Sequence, residues 1–480
     1  MARGQRRGVG TEGYRPPFEV LDLSYAEALQ TLHAACKFGI QPMLETVVDM
    51  LAELGDPDLS FRSLQIAGTN GKTSTSRYAA AILRGQGLRV ALYTSPELVS
   101  LTERMEVDGV PVSEGAFARS VAAAAEAGRR VNVRRRASGE RPYDVTQFDI
   151  LTVAACVAFA QADVDVAVLE CGMGGRWDAT SAVKSIEAVA VTGVGLDHTR
   201  ILGDTLEAIA GEKAAIIRCG QSCVLGVGTA TPDSVEDVFL DRCRSQDVTP
   251  VLLRPECLED AAGEMHAGVP RRHASLLQAS YRITSRPRCL GAPLELTVRT
   301  PRRAYTGLTA LKPSYQAANI ACAVTLTEAF LDGELDGDRL LESVRQCPTP
   351  GRFSLLRPNP PVLVDACHNP QSVDAFLAAL QDIAPDPATR PPLLCAVLAD
   401  KDVGGIVSRL ARAFPAVVCT QTSSSRSLGA DELVRRFLAA GAKVTGSYGS
   451  VAAALAAMSA GPLVGCGSIT LAGALAALLA

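Results

Sequence analysis

No apolar run in this 480-residue chain is long and uninterrupted enough to cross a membrane as a helix. Leu471 to Ala480, the most tempting stretch, is too short for that and predicts a packed helix. An excess of positive charge is also missing. Against 51 Asp and Glu stand 47 Lys and Arg, and the net charge of −4 gives a nucleic-acid role no electrostatic support. Met1 to Gly10 is basic but lacks the apolar centre of a signal peptide, so residues 1–20 are expected to form a disordered tail. The 14 cysteines include no Cys-x-x-Cys pair, and Cys156, Cys322, Cys395, Cys419 and Cys466 sit inside apolar runs. Without a secretory signal, this usage predicts buried, reduced thiols in a cytoplasmic protein rather than a disulfide framework. Histidine is scarce, at five residues, and no His or Cys pair has the spacing of a zinc site. No internal repeat or low-complexity tract interrupts the chain, apart from alanine-rich helical segments such as Val121–Ala127.

What is present describes a globular α/β protein. Hydrophobic residues make up 48% and charged residues 20%, and the length calls for two or three domains. Residues Leu23 to Gly55 have helical periodicity. From Leu64 onward, apolar runs of strand length alternate with helical segments. Strands are predicted at Leu64–Ala67, Arg89–Tyr93, Val164–Leu169 and Ile186–Val194, with helices near Thr73–Arg84 and Phe148–Ala160. Continuous apolar strands alternating with helices imply a mostly parallel sheet covered on both faces. Cys223 to Pro301 reads as less regular, with β-like pieces at Val248–Leu253 and Leu294–Val298, before a helix at Ser314–Leu331. A second alternating series follows, with strands at Val362–Asp365, Leu393–Leu398, Ala416–Thr420 and Leu463–Gly465. The turn Pro348-Thr349-Pro350-Gly351 has linker composition, so the domains are drawn at residues 21–347 and 348–480.

Chemistry collects at the predicted strand ends, where open parallel sheets bind ligands. The first strand runs into Gly68-Thr69-Asn70-Gly71-Lys72-Thr73-Ser74 and then a helix. Glycines let the backbone wrap an anion, and free amides at a helix start point towards it. Lys72 adds a positive charge, and the hydroxyl of Thr73 or Ser74 can hold Mg²⁺. The spacing is more compact than the general phosphate loop, since Ile66 stands five positions before Gly71. Other strand ends deliver Thr94-Ser95-Pro96, Glu170 with the Gly172–Asp178 turn, and Asp197-His198. Glu170 follows four apolar residues, so its carboxylate must be hydrated, paired or bound to metal. With Ser95 and His198 it makes an oxygen-rich Mg²⁺ site plausible. In the second half, Asp365 ends a strand in the manner of a ribose-contacting acid, and Asp400-Lys401-Asp402 is either functional or a charged turn. Read locally, Gly211-Glu212-Lys213-Ala214 is an ordinary solvated charge pair.

Together these residues resemble the folylpolyglutamate synthase/dihydrofolate synthase family, a branch of the Mur ligases. The resemblance runs from about Leu29 to the C-terminus. It is carried by GTNGKTS at Gly68–Ser74, TSP at Thr94–Pro96, ER at Glu103-Arg104 and ECGMGGRWDAT at Glu170–Thr180. It continues through LDH at Leu196–His198, EKA at Glu212–Ala214, PGRF at Pro350–Phe353, DACHNP at Asp365–Pro370 and DKD at Asp400–Asp402.

The family implies an N-terminal phosphate-loop ATPase domain and a C-terminal Rossmann-like domain, with the active site in the cleft between them. By motif, Gly68 to Ser74, Asn319, Arg352, Asp365 and His368 would contact ATP, with Arg352 aimed at the γ-phosphate. Ser95, Glu170 and His198 match Mg²⁺ ligands. Lys213 matches a lysine that family members carbamylate, which overturns its local reading. Thr146, Gln147, Phe148, Asp149, Trp177, Asp178 and Ala179 match segments lining a pterin pocket. Lys72, Lys213, His198 and Arg352 are thus the implied catalytic residues. ATP and Mg²⁺, with K⁺ as a further cation, are the implied cofactors. The implied substrates are L-glutamate and a dihydropteroate or folate acceptor, joined by ATP-dependent amide formation in a cytoplasmic monomer that engages neither nucleic acid nor membrane. The alternatives are a monofunctional folylpolyglutamate synthase and a non-catalytic ATP-binding relative.

The chain departs from the family pattern at Glu97 (usually His), Asp149 (usually Glu), Tyr315 (usually His), Ala366-Cys367 (usually Gly-Ala) and Thr73 (commonly Gly). The first two lie near the acceptor pocket.

Overall fold

The computed structural model describes residues 13–35, 43–256, 273, 275–458 and 461–479. Its strands are β1 (Arg62–Ala67), β2 (Val90–Tyr93), β3 (Met105–Val107), β4 (Val110–Pro111), β5 (Val166–Glu170), β6 (Ile186–Gly193), β7 (Ser222–Gly228), β8 (Val251–Pro255), β9 (Leu277–Ser285), β10 (Leu294–Arg299) and β11 (Ala304–Ala310). These form one sheet, in the order β11-β10-β9-β8-β7-β6-β1-β5-β2-β3-β4. Seven strands from β2 to β9 run parallel, and antiparallel ribbons close both edges. A second sheet contains β12 (Ser354–Pro358), β13 (Pro361–Asp365), β14 (Leu393–Cys395), β15 (Val417–Thr420), β16 (Val444–Tyr448) and β17 (Leu463–Cys466). Its order is β12-β13-β17-β14-β15-β16, parallel except for β12.

The apolar runs are continuous because each sheet is covered on both faces. In β5, Ala167 and Leu169 enter one core while Val166 and Val168 enter another. In the second sheet, Leu363 and Cys395 face one side, and Val362, Val364 and Leu394 the other. Such α/β/α layering puts every strand end that carries a polar motif on one rim of its sheet.

Several expected boundaries change. The helical stretch at Leu23–Gly55 is two helices, Tyr25–Ala34 and Glu45–Glu53. Residues 13–20, expected as tail, are packed: the Tyr14 hydroxyl donates to the Leu54 carbonyl at 2.8 Å, and the Arg130 guanidinium stacks on Phe18 at 4.4 Å. Their aromatic rings bury area that a solvated tail would expose. Residues 1–12 of that tail lie outside the described residues. The less regular stretch from Cys223 is β7 to β11. Strand β7 is glycine-containing because a Cβ at Gly226 would stand 2.8 Å from the Thr192 carbonyl. The strand expected at Leu393–Leu398 ends at Cys395, and the edge strand β16, whose residues alternate between half-buried and exposed, has no apolar run to announce it.

The twelve described cysteines are all free thiols, ten of them buried. Among the described residues no helix is long and apolar enough to cross a membrane.

Candidate active site

The loop after β1 is shaped by two glycines. Gly71 sits at φ +87° and caps the helix Lys72–Gly85, and Gly68 has φ +153°. A Cβ on Gly68 would fall 1.9 Å from Thr192 Oγ1, and one on Gly71 2.5 Å from Asn319 Oδ1, so no other residue fits. The end of β6 clamps the turn: Thr192 Oγ1 donates to the Asn70 carbonyl at 2.6 Å, and the Thr69 amide to the Gly193 carbonyl at 2.9 Å. Helix-start amides and the Lys72 side chain then share one cavity of about 330 Å³. Among the described residues the Lys72 ammonium makes only a long 3.4 Å bond, to the Thr69 carbonyl.

Glu170, the last residue of β5, is 1% exposed. Thr73 Oγ1 donates to its Oε1 at 2.8 Å, while its Oε2 is buried with no partner among the described residues. Burial pushes this carboxyl above its ordinary range, partly offset by Lys72, Thr73, Arg352 and the Ser95 backbone. An orphaned carboxylate oxygen is costly unless something cationic meets it. Ser95 and His198 line the adjoining cavity. The His198 backbone is left-handed (φ +53°), and the residue lines the cavity. Burial first, then the cations around it, lower its pKa to about 4, so the imidazole is neutral at pH 7 with a lone pair free. One carboxylate, one hydroxyl and one imidazole suit Mg²⁺, which keeps waters and phosphate oxygens as its remaining ligands. Of the two hydroxyls expected near Mg²⁺, Thr73 stands on Glu170. Ser74 is 3% exposed and accepts from Gln316 Nε2 at 3.1 Å.

Lys213, on the helix Leu206–Ala214, is 3% exposed and lines the same cavity. Among the described residues its ammonium has no ion-pair or hydrogen-bond partner. Burial, reinforced by the Lys72 charge, lowers its pKa to about 7. Its local reading as a solvated charge pair is therefore wrong, because Glu212 pairs with Arg176 and leaves Lys213 alone inside.

The second sheet completes the cavity with Arg352, Asp365 and His368. Asp365 is spent internally: Oδ2 accepts from the Tyr315 hydroxyl at 2.7 Å and the Phe353 amide at 2.9 Å, and Oδ1 from the Cys367 amide at 2.8 Å. Tyr315 thus ties the two halves together where the family usually has histidine. Arg352 bears charge on both Asp365 and Glu170, so it faces the first sheet's rim. The Asn319 amide donates to Gln316 Oε1 at 2.8 Å, with its oxygen towards Gly71.

A clasp that local sequence does not signal spans the cleft. Lys401 Nζ lies 2.6 Å from Asp197 Oδ1, and His368 Nε2 is 3.6 Å from Asp197 Oδ2. Both partners of the Lys401 pair are about one-tenth exposed. Burial opposes ionisation of Asp197, but bonds from His368 and Lys401 hold its carboxyl well below the usual range. Asn70 meets Asn369 and Gln371 alongside, at 3.1 and 2.8 Å. Glu97 is paired with Arg104 at 2.6 Å, which satisfies the charge introduced at that position.

The seven residues matched to a pterin pocket stand apart from this cavity. Thr146 and Asp149 form the capping box of the helix Gln147–Gln161. The Phe148 ring packs against Gly172, where a Cβ would meet it at 2.6 Å. Asp178 is buried and accepts from the Met173 and Thr180 amides, Ala179 is buried, and Trp177 is half exposed. They lie behind Gly172–Gly174, which do line the cavity.

Residues 66–227 match the family model of the Mur ligase middle domain, and residues 351–467 that of the Mur ligase glutamate ligase domain. The dihydrofolate synthase/folylpolyglutamate synthase of Mycobacterium tuberculosis is 33% identical over 410 residues, covering 84% of this chain and 78% of that protein. The "Probable bifunctional folylpolyglutamate synthase/dihydropteroate synthase" of Haloferax volcanii is 33% identical over 90% of this chain. The chain spans only 47% of that relative's length. The crystal structure of the M. tuberculosis folylpolyglutamate synthase complexed with ADP and AMPPCP superposes with a TM-score of 0.81 at 28% identity, over 95% of this chain and 98% of that one. The chain therefore belongs to the folylpolyglutamate synthase/dihydrofolate synthase family of Mur ligases.

Proposed function

We propose that this chain is an ATP-dependent carboxylate–amine ligase that joins L-glutamate to dihydropteroate and to the γ-carboxylate of folates. The observation that carries the reading is one cavity that gathers a glycine-shaped phosphate loop, Ser95 and His198, the buried amine of Lys213, and Arg352 and His368 from the other sheet, with Glu170 held just beneath by Thr73 of the loop. Relatives bearing both activities in their names favour the bifunctional form. The proposal takes residues 21–347 as the ATP-binding unit and residues 348–480 as the glutamate ligase unit.

A carboxylate is a poor electrophile. In the proposed reaction its oxygen attacks the γ-phosphorus of ATP, ADP leaves, and an acyl phosphate results. The amine of glutamate then attacks the acyl carbon, the amide bond forms, and inorganic phosphate departs. The amides at the start of the helix Lys72–Gly85 and the Lys72 ammonium would hold the phosphates, and Arg352 would meet charge spreading over the transferred group. Mg²⁺, held by Ser95, Glu170 and His198, would neutralise phosphate charge when bound. Much of the rate would come from positioning, which the Lys401–Asp197 clasp supports by holding the two sheets together. Lys213, depressed to about 7, presents a free amine at neutral pH, the form that takes up CO₂ to become a carbamate anion. K⁺ remains a family expectation, to which no residue is assigned.

The test is ADP release with ATP, Mg²⁺ and L-glutamate, comparing dihydropteroate, tetrahydrofolate and no acceptor. Release with both acceptors is expected. Release with one names a monofunctional enzyme, and release with neither overturns the ligase reading. Lys72→Ala should abolish release without unfolding the protein. Lys213→Ala should be inactive and partly rescued by short carboxylic acids, and full activity without them would remove the carbamate.

A further inference from the structure

A second cavity, of about 590 Å³, lies at the junction of the two sheets, and none of the residues assigned above to nucleotide, metal, carbamate or pterin lines it. Its walls come from both halves: Arg77 and Lys312 from the first, the connector at Thr349, and Phe353, Leu355 and Ile383 from the second. At one side Asp382 holds the halves together, accepting from Ser314 Oγ at 2.6 Å and pairing with Arg286 at 3.3 Å. The lining is mostly apolar, and Leu290, Leu311 and Leu355 are between 39% and 62% exposed, which is high for leucines clustered round one hollow.

The polar groups leave a specific remainder. The Arg77 guanidinium is matched by Glu106, at 2.7 Å, with both side chains at most 10% exposed. The Glu103 carboxylate is used up on the backbone amides of Leu98, Val99 and Ser100. Lys312 is a half-buried cation with no ion-pair or hydrogen-bond partner among the described residues. Thr349 Oγ1 and Arg77 Nε, behind the lining surface, are buried without a hydrogen-bond partner among the described residues. A cation without an ion-pair or hydrogen-bond partner among the described residues, set in a mostly apolar hollow, describes half of a binding site.

We propose that this junction cavity is a second ligand site, which takes an amphipathic organic monoanion. Its anionic head would meet Lys312, and its apolar body would lie on Phe353 and the leucines. With Arg77 on Glu106 and the Glu103 carboxylate held by backbone amides, Lys312 is the lining cation left without an anionic partner among the described residues, which argues for one anionic group. A polyphosphate would need more cations than the lining supplies, and a neutral apolar ligand would leave Lys312 unpaired. The inference is independent of the ligase reading, since it rests on residues outside that machinery.

The probe is 8-anilinonaphthalene-1-sulfonate, an aromatic monoanion that fluoresces on transfer to an apolar site, used with the full chain. Its uncharged relative N-phenyl-1-naphthylamine serves as control, and saturating AMPPCP fills the nucleotide cavity. One saturable sulfonate site that survives AMPPCP is expected. Lys312→Met should weaken sulfonate binding about tenfold or more while leaving the neutral probe within about twofold, as loss of a charge-assisted bond requires. The unchanged neutral probe also reports that the variant is folded. Leu355→Glu, at an exposed wall position, should repel the sulfonate to a similar degree. Sulfonate binding that both variants leave unchanged, or that AMPPCP displaces, overturns the proposal.

Discussion

Replacing Lys213 by methionine should make the unliganded protein more stable while abolishing turnover. Methionine keeps the apolar stem and removes an amine that is 3% exposed and unpaired. Burial, then the charge of Lys72, lowers the lysine pKa from 10.5 to about 7 in the folded protein. The unfolded chain therefore holds a proton up to about pH 10.5, and the folded chain only to about pH 7. Between those limits the unfolded state binds more protons, so stability climbs as pH rises, and below them the full penalty is present. At about 1.4 kcal/mol per pH unit, the penalty is about 4 kcal/mol at pH 7 and about 2 kcal/mol at pH 9. Urea melts in bicarbonate-free buffer at these two pH values measure it directly. The wild type should gain about 2 kcal/mol more than Lys213→Met between pH 7 and pH 9. Bicarbonate should stabilise the wild type and leave the variant unmoved, because a carbamate forms only in the folded site. A variant that is less stable than wild type at both pH values, with the same pH slope, refutes the buried-amine argument.

Three further outcomes follow from the same geometry. Lys401→Met strips Asp197 of its nearest cation inside the cleft and should cost about 3 kcal/mol, read as a lower melting temperature and faster hydrogen exchange at residues 366–372. Gly71→Ala forces a Cβ to within 2.5 Å of Asn319 Oδ1 at φ +87° and should cost about 1–3 kcal/mol in stability and remove nucleotide binding by calorimetry. Glu170→Gln replaces the orphaned oxygen's carboxylate with a neutral group, so Mg²⁺ should raise the melting temperature of the AMPPCP-bound wild type but not that of the variant. A Mg²⁺ shift equal in both proteins would move the metal elsewhere.

The parallel heart of the fold was legible because burial on both faces writes itself into composition. Val-Ala-Val-Leu of β5 can be apolar at every position only where no face meets water. The polar motifs were legible for the complementary reason, since glycines and charges placed straight after such runs have no packing role. The outer strands β9, β11 and β16 were not, because with one face solvated their pattern is broken by polar residues and glycine, whereas β10 was read at Leu294–Val298. Local sequence also misread Lys213. Its environment is set by what the helix Leu206–Ala214 packs against, and a four-residue window carries no desolvation.

The sequence by itself determined the two alternating β/α series, the phosphate loop and the strand-end residues, because each depends on contacts within a few positions of the chain. Only the tertiary structure decided which of them meet. Lys401 reaches Asp197 across 204 positions, Tyr315 caps Asp365 across 50, and Thr73 rather than Ser74 stands on Glu170. The pterin-matched residues fall outside the phosphate-loop cavity, and the junction cavity exists only once two sheets are placed side by side. Charge, burial and unmet hydrogen bonds are properties of groups brought together by packing, and no periodicity along the chain encodes them.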